Sequence, residues 1–184
     1  KNYVEQALKN CECVIVSDCV TQNDTLEFAD VKLPAAPWGE KEGTVTNAER
    51  CISRQRQFAL PAGEARPDWQ IVCHVAKAMG FEGFNFTSPH EVFSEHAALT
   101  AVNNDGDRQL NLSGLAGLSK REYDQFTPKQ WPISSDYPDG RKRLFRNGIF
   151  STETHRANFI PVTPELPILT ANNAGFILNS GRLR

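Results

Sequence analysis

The stretch from Ala29 to Arg50, ADVKLPAAPWGEKEGTVTNAER, sets the tightest limit on what this chain can fold into. It carries Pro34, Pro37, Gly39, Gly43 and Trp38 together with seven charged residues and few apolar positions. Proline fixes φ and removes a backbone donor, and glycine opens left-handed angles. No helical or strand period runs through these residues. The segment is therefore expected to form a shaped, irregular surface rather than a core element.

The flanking pattern frames that surface. Asn2 to Lys9 reads as a helix, with Val4 and Leu8 four residues apart. Cys13 to Val16 is a short apolar, β-branched run of the kind buried in a parallel sheet, and Ser17-Asp18 ends it. Phe28 to Leu33 reads as a second strand, stopped by Pro34. After a loop at Pro61 and Gly63, Pro67 opens a helix with Trp69, Val72, Val75, Ala76 and Met79 on one stripe and Gly80 as its stop. The expected class is α/β, with residues 1–80 forming part of a Rossmann-like parallel-sheet domain. Cys13–Val16 and Ala29–Leu33 should be adjacent parallel strands, with the Trp69–Met79 helix packed on them.

From Phe81 the texture changes. Ser88-Pro89-His90-Glu91 and Ser119-Lys120-Arg121-Glu122 are capping boxes, predicting helices from about Pro89 to Leu99 and from Ser119 to the break at Pro128. Asn103 to Gly106 reads as a turn. Asn147-Gly148 between apolar residues predicts a type I′ hairpin over Leu144 to Phe150, and Ala157 to Val162 reads as a strand. Residues 81–165 are expected to form a smaller α+β lobe containing that hairpin. Pro161, Pro164 and Pro167 mark a linker, followed by a strand at Phe176 to Asn179. Both ends of the chain fall on secondary structure, so a piece of a longer, multidomain polypeptide is expected.

A net charge of −2 gives no bulk electrostatic case for nucleic acid or an anionic membrane. No apolar run approaches the ~20 residues that cross a bilayer, and no apolar h-region follows the first residues. A cytoplasmic location is expected. Five cysteines, at 11, 13, 19, 51 and 73, form no C-x-x-C pair. They read as small buried or half-buried thiols rather than as a zinc or iron–sulfur site.

In a parallel α/β sheet, ligands bind beyond the carboxyl ends of the strands, where Ser17 and Asp18 lie. Asp18 could accept paired N–H donors from a guanine edge, or simply cap a loop. Lys41, between Glu40 and Glu42, could meet a phosphate or sit in a solvated turn; Gly39 and Gly43 would let the chain bend around a ligand. Asp68 stands at a helix start, where the helix dipole alone favours a carboxylate. There is no G-x-G-x-x-G, Walker A or G-x-S-x-G pattern. His90 and His96 are six apart and form no metal pair, and His74 reads as structural. Arg141, Lys142, Arg143 and Arg146 form a basic run, either a solvated face or a surface for an acidic electron-donor protein.

Seven segments in order resemble one family: VIVSD, the Ala29–Arg50 stretch, PAGEARPDW, LNLSGLAGLSKREYD, QWPI, LFRNGIFSTETHRANFIPV and FILNSGRLR. They are similar to the molybdopterin-dinucleotide oxidoreductases, and among them to the assimilatory nitrate reductase branch. The resemblance implies a large catalytic subunit that binds bis-molybdopterin guanine dinucleotide with molybdenum, plus a 4Fe-4S cluster. It implies two-electron reduction of nitrate, with electrons from a donor protein or reductase domain. By position it places dinucleotide contacts at Ser17, Asp18, Lys41 and Asp68, and at Ser180, Gly181 and Arg182. Ser180 stands where the family more often has threonine, and Cys51 where arginine is common. Residues 166–184 would be a linker and the start of the C-terminal dinucleotide-binding barrel. The family's cluster cysteines and molybdenum ligand fall outside these 184 residues, so no metal ligand or catalytic residue is assigned within them and no turnover is expected from them alone. Two other readings stay open: a formate dehydrogenase-like enzyme of the same family, and a non-catalytic nucleotide-binding or interaction module.

Overall fold

A computed structural model describes residues 2–164. Helix α1 (Asn2–Lys9) leads to strand β1 (Ile15–Asp18), which pairs in parallel with β2 (Val31–Pro34) from Ile15↔Val31 to Asp18↔Pro34. The two strands are adjacent and parallel, as the sequence predicted, but both start later. Phe28 closes a 3₁₀ turn, Leu26–Phe28, whose entry is fixed by Asn23 accepting the Leu26 N–H at 2.8 Å. The strands are not buried on both faces. Ile15 is 59% exposed and Val31 41%, because among the described residues the sheet they form has two strands and that face stays open. Continuous apolar runs mark strands covered on both sides, so the sequence signal overstates the cover these residues have among themselves.

The Ala29–Arg50 surface contains more regular structure than its composition suggests. Its start is β2, and its end is β3 (Gly43–Thr46), which pairs antiparallel with β4 (Cys51–Gln55). The turn between them is held by Asn47, whose side-chain oxygen accepts the Glu49 and Cys51 N–H groups at 2.9 and 3.0 Å, with Arg50 at φ +65°. The β-branched Thr44-Val45-Thr46 run supplies the strand propensity. Irregular backbone is confined to the middle, where Ala35 and Ala36 are buried. A short β5 (Lys129–Gln130) adds to the other edge of β4.

Helix α2 (Asp68–Ala78) starts after Pro67 and stops at Gly80, whose φ of +83° only glycine adopts without strain. Its apolar stripe is only partly covered, although Ile71 and Val75 face Leu33 and Pro34 of β2 across a small pocket. Val72, Val75 and Met79 are exposed, while Cys73 and Ala76 are the buried positions. Helix α3 (Pro89–Leu99) begins where its capping signal predicts: Ser88 Oγ accepts the Glu91 N–H. Glu91, however, bonds Thr87 N–H and hydroxyl at 2.7 and 2.6 Å instead of closing the box on Ser88. Helix α4 (Lys120–Asp124) carries the complete box between Ser119 and Glu122. The bonds from Ser119 hold the Glu122 carboxyl below its ordinary value of 4.5.

The main core gathers Ile52 of β4, Phe93 and Ala97 of α3, Leu112, Leu115, Tyr123, Phe126 and Ile133. One cation enters it. The Arg54 side chain is 3% exposed, lies 3.9 Å over the Tyr123 ring, and bonds the Gly43 carbonyl at 2.7 Å and the Glu42 carboxylate at 3.1 Å, with Asp124 at 3.4 Å. The Tyr123 hydroxyl is buried without a partner, and burial pushes its pKa above 10.0.

Two sequence-predicted elements are absent among the described residues. Leu144 to Phe150 forms turns without strands; a type I′ turn needs positive φ at Asn147 and Gly148, but the positive angles fall at Phe145 and Gly148. Phe145 stacks on Phe150 instead, with ring centroids 4.5 Å apart. Ala157 to Val162 is not a strand either; Phe159, Ile160 and Val162 are all exposed and no neighbouring strand offers them a ladder. The predicted strand at Phe176 to Asn179 and Pro167 lie outside the described residues.

Arg54 and Tyr123 give opposite expectations. Arg54→Leu leaves two carboxylates facing one another and should lower unfolding stability by about 2 kcal/mol, the scale of hydrogen bonds to charged groups. Tyr123→Phe removes an unpartnered hydroxyl and should shift it by less than about 1 kcal/mol. Urea denaturation of both variants checks the pair.

Candidate functional site

The carboxyl ends of β1 and β2 meet a third segment. The Asp18 carbonyl accepts the Ala35 N–H at 3.0 Å, the Arg66 carbonyl accepts the Ala36 N–H at 2.8 Å, and the Pro34 carbonyl accepts the Arg66 N–H at 3.1 Å. Ala35 and Arg66 form a parallel bridge. Asp18, Pro34-Ala35 and Arg66-Pro67-Asp68 are thereby laid side by side at one rim, the place where parallel sheets present ligand groups.

Asp18 is the most constrained group there. One carboxylate oxygen accepts the Cys19 and Val20 N–H groups at 2.7 and 3.3 Å, and the other accepts the Asn23 amide at 2.9 Å. The Val20 and Cys19 N–H groups hold its carboxyl below the ordinary value of 3.8. Three of roughly four acceptor directions are thus used within its own turn. Paired donors from a guanine edge would have to displace the longest of these bonds, that to Val20. Ser17 lies on the other face of the strand, since side chains alternate, and it is exposed.

The Lys41 ammonium forms an ion pair with the Asp68 carboxylate. Both residues of the sequence prediction therefore meet, and α2 supplies Asp68 from its first position. A cavity of about 390 Å³ opens between Asp18 and residues 62–65, lined by Val16, Leu26, Leu33, Pro37 and Glu40 among others. Asp18 is thus brought to this cavity, whereas Lys41 and Asp68 pair beside it and are not among its lining residues. Three further side chains that shape this region had no motif to announce them. Asn23 buttresses Asp18; Glu40 lines the cavity and accepts the Ala62 N–H at 3.0 Å; Gln55 donates to the Trp38 and Lys41 carbonyls. Only Asn23, in a polar Gln-Asn-Asp-Thr run, carried a turn signal.

The remaining candidates separate from this rim. Ser180, Gly181 and Arg182 lie outside the described residues. His74 is exposed and accepts from Arg66 at 2.5 Å, while His90 meets the Leu118 carbonyl at 2.6 Å and leans on Tyr123. Cys11, Cys13 and Cys19 are exposed rather than buried; Cys73 is buried. Among the described residues no group of three His, Cys, Asp or Glu side chains could hold a metal, and no helix is long and apolar enough to cross a membrane. A larger polar cleft, about 870 Å³, lies between residues 104–113 and 132–155 and contains none of the sequence-predicted site residues.

The family model described as molybdopterin oxidoreductase matches residues 1–78, the part that builds this rim. Over these residues the chain resembles the molybdopterin oxidoreductases. A nitrate reductase of Klebsiella oxytoca is 47% identical over 98% of this chain and 21% of its own length. A nitrate reductase of Shewanella frigidimarina is 44% identical over 98% of this chain and 20% of its own. A formate dehydrogenase alpha subunit of Methanococcus maripaludis is 36% identical over 99% of this chain and 26% of its own. The chain spans about a fifth to a quarter of the length of these relatives.

The rim offers one carboxylate and one ammonium to a ligand. A carboxylate at Asp18 suits a base edge bearing N–H donors, an ammonium at Lys41 suits a phosphate, and the cavity falls within the ~300–1,000 Å³ range of small-molecule sites. The charge balance sets a condition: Asp68 already engages Lys41, so a phosphate must share or replace that partner.

The lowered pKa of Asp18 gives a signed expectation. Its turn is favoured by the ionised carboxylate, so that contribution is present above pH 3.8 and is lost as pH falls through the lower, folded-state value. The Cys19 and Val20 amide resonances should titrate together with an inflection below 3.8, as followed by NMR. An inflection above 3.8 would contradict the geometry.

Proposed function

We propose that this chain is part of a cytoplasmic, assimilatory molybdenum nitrate reductase and forms one wall of a bis-molybdopterin guanine dinucleotide site. The observation that carries the reading is the match at 47% identity to a nitrate reductase across 98% of the chain, with Asp18, Lys41 and Asp68 on one rim. In this reading Asp18 receives the guanine N–H edge, Lys41 receives a phosphate oxygen, and Asp68 holds the Lys41 ammonium in place until it does. Ser17 contributes from the rim's outer side, and Ser180, Gly181 and Arg182 from the chain's last residues. Residues 1–80 act as the α/β cofactor segment, 81–165 as the helical lobe, and 166–184 as the lead into the barrel.

When bound in the whole enzyme, the cofactor supplies oxygen-atom transfer, in which nitrate takes two electrons and two protons and leaves as nitrite and water. The electrons come from a donor protein or reductase domain through a 4Fe-4S cluster held elsewhere in the polypeptide. A second reading, a formate dehydrogenase of the same family, is favoured by the 36% match to the methanococcal subunit. The rim serves either reaction, because it faces the nucleotide and not the substrate.

Full-length Asp18→Ala and Lys41→Ala enzymes should fold, with melting temperatures close to wild type, and carry less molybdenum per chain than wild type. Elemental analysis beside thermal melting reads this, and full molybdenum in both variants would defeat the assignment. Turnover of nitrate and not formate by the wild-type enzyme decides between the two substrates.

A further inference from the structure

We infer that Gln55 is a positioning residue that sets Lys41 at the rim. This inference rests on the reading that Lys41 meets the dinucleotide. Gln55 is the last residue of β4 and is buried, at 9% exposure. Its amide nitrogen donates to the Trp38 carbonyl at 2.7 Å and to the Lys41 carbonyl at 3.3 Å. Both donor hydrogens of that amide are used on the same 3₁₀ turn, Trp38–Glu40, and its exit residue.

The residues after Gln55 complete the hold. The Gly39 carbonyl accepts the Phe58 and Ala59 N–H groups at 3.0 and 3.1 Å, and the Phe58 ring covers Gly39 so closely that a β-carbon there would strike it. Glu40 in turn accepts the Ala62 N–H. The Lys41 side chain, by contrast, has one ion-pair partner, Asp68, which is itself largely exposed. A lysine carries four rotatable bonds, so an exposed ion pair alone holds its ammonium weakly. Fixing the backbone from which that side chain starts is what narrows its reach. Among these anchors Gln55 alone bonds Lys41's own backbone through a side chain, so it can be removed without changing the main chain.

Gln55→Met tests this in the full-length enzyme, because methionine keeps the volume and loses both donors. Molybdenum per chain and guanosine monophosphate released on acid hydrolysis are measured for wild type, Gln55→Met, Lys41→Ala and the double variant, with melting temperatures alongside. Gln55→Met should lower loading about fivefold, as expected for losing one or two buried hydrogen bonds. The double variant should load no worse than Lys41→Ala. A further fall in the double variant would show Gln55 acting on the fold rather than through Lys41, and would overturn the inference. Full loading of Gln55→Met with poor loading of Lys41→Ala would overturn it while leaving the nucleotide reading intact. Should Lys41→Ala load fully, the nucleotide reading fails by itself. A crystal structure of the full-length Gln55→Met enzyme then decides the positioning: a Lys41 ammonium displaced from Asp68 supports it, and an unchanged pair overturns it.

Discussion

The parallel pairing of β1 with β2, extended by the Ala35–Arg66 bridge, is the constraint on which the site depends. Parallel strands present their carboxyl ends on one side, so Asp18, Pro34-Ala35 and Arg66 emerge together although they lie 48 residues apart in sequence. Remove that register and Asp68 no longer stands beside the turn that carries Lys41. Everything else described at the rim is local: an aspartate closing its own turn, a lysine paired across it, and a glutamine fastening one loop from beneath.

Two different strategies hold the two halves of the described structure. The β1–β2 unit leaves Ile15 and Val31 exposed, as α2 beside it leaves Val72 and Met79. Its order comes from backbone bonds and side-chain clamps such as Asp30 accepting the Val14 N–H at 2.7 Å. The β3–β4–β5 sheet instead joins a true core through Ile52, with Arg54 bridging Glu42 and Asp124 over the Tyr123 ring. Gln55 ends β4, so the packed unit is what fixes the loop that serves the rim. Stability in one place is used for geometry in another, and loops placed on a rigid scaffold are where binding residues belong.

Local signals carried the helices. Ser88 and Ser119 announced α3 and α4, and Pro67 and Gly80 bracketed α2, because caps and stops act within a few residues. The parallel pairing was also legible, from two short apolar runs separated by polar turns. Failures came where the outcome depends on partners distant in sequence. Asn147-Gly148 promised a hairpin, yet no facing strand exists there, and the Phe145–Phe150 stack took its place. The α2 stripe looked like a packing face, but burial requires a surface to pack on, and the described residues offer none for Val72 or Met79. Lys41 and Asp68, 27 apart and ordinary by spacing, were placed at one site by the resemblance, and the fold makes them a pair. Gln55 left no trace in the sequence, since its role comes from the carbonyls above it.

Hydrogen–deuterium exchange of the full-length enzyme, compared with and without its molybdenum cofactor, tests the central claim most directly. A rim that holds the nucleotide should gain protection in residues 17–23, 34–41 and 66–70 on loading, with little change in α3 or α4. Unchanged exchange in those three segments, with protection gained elsewhere in the chain, would contradict it.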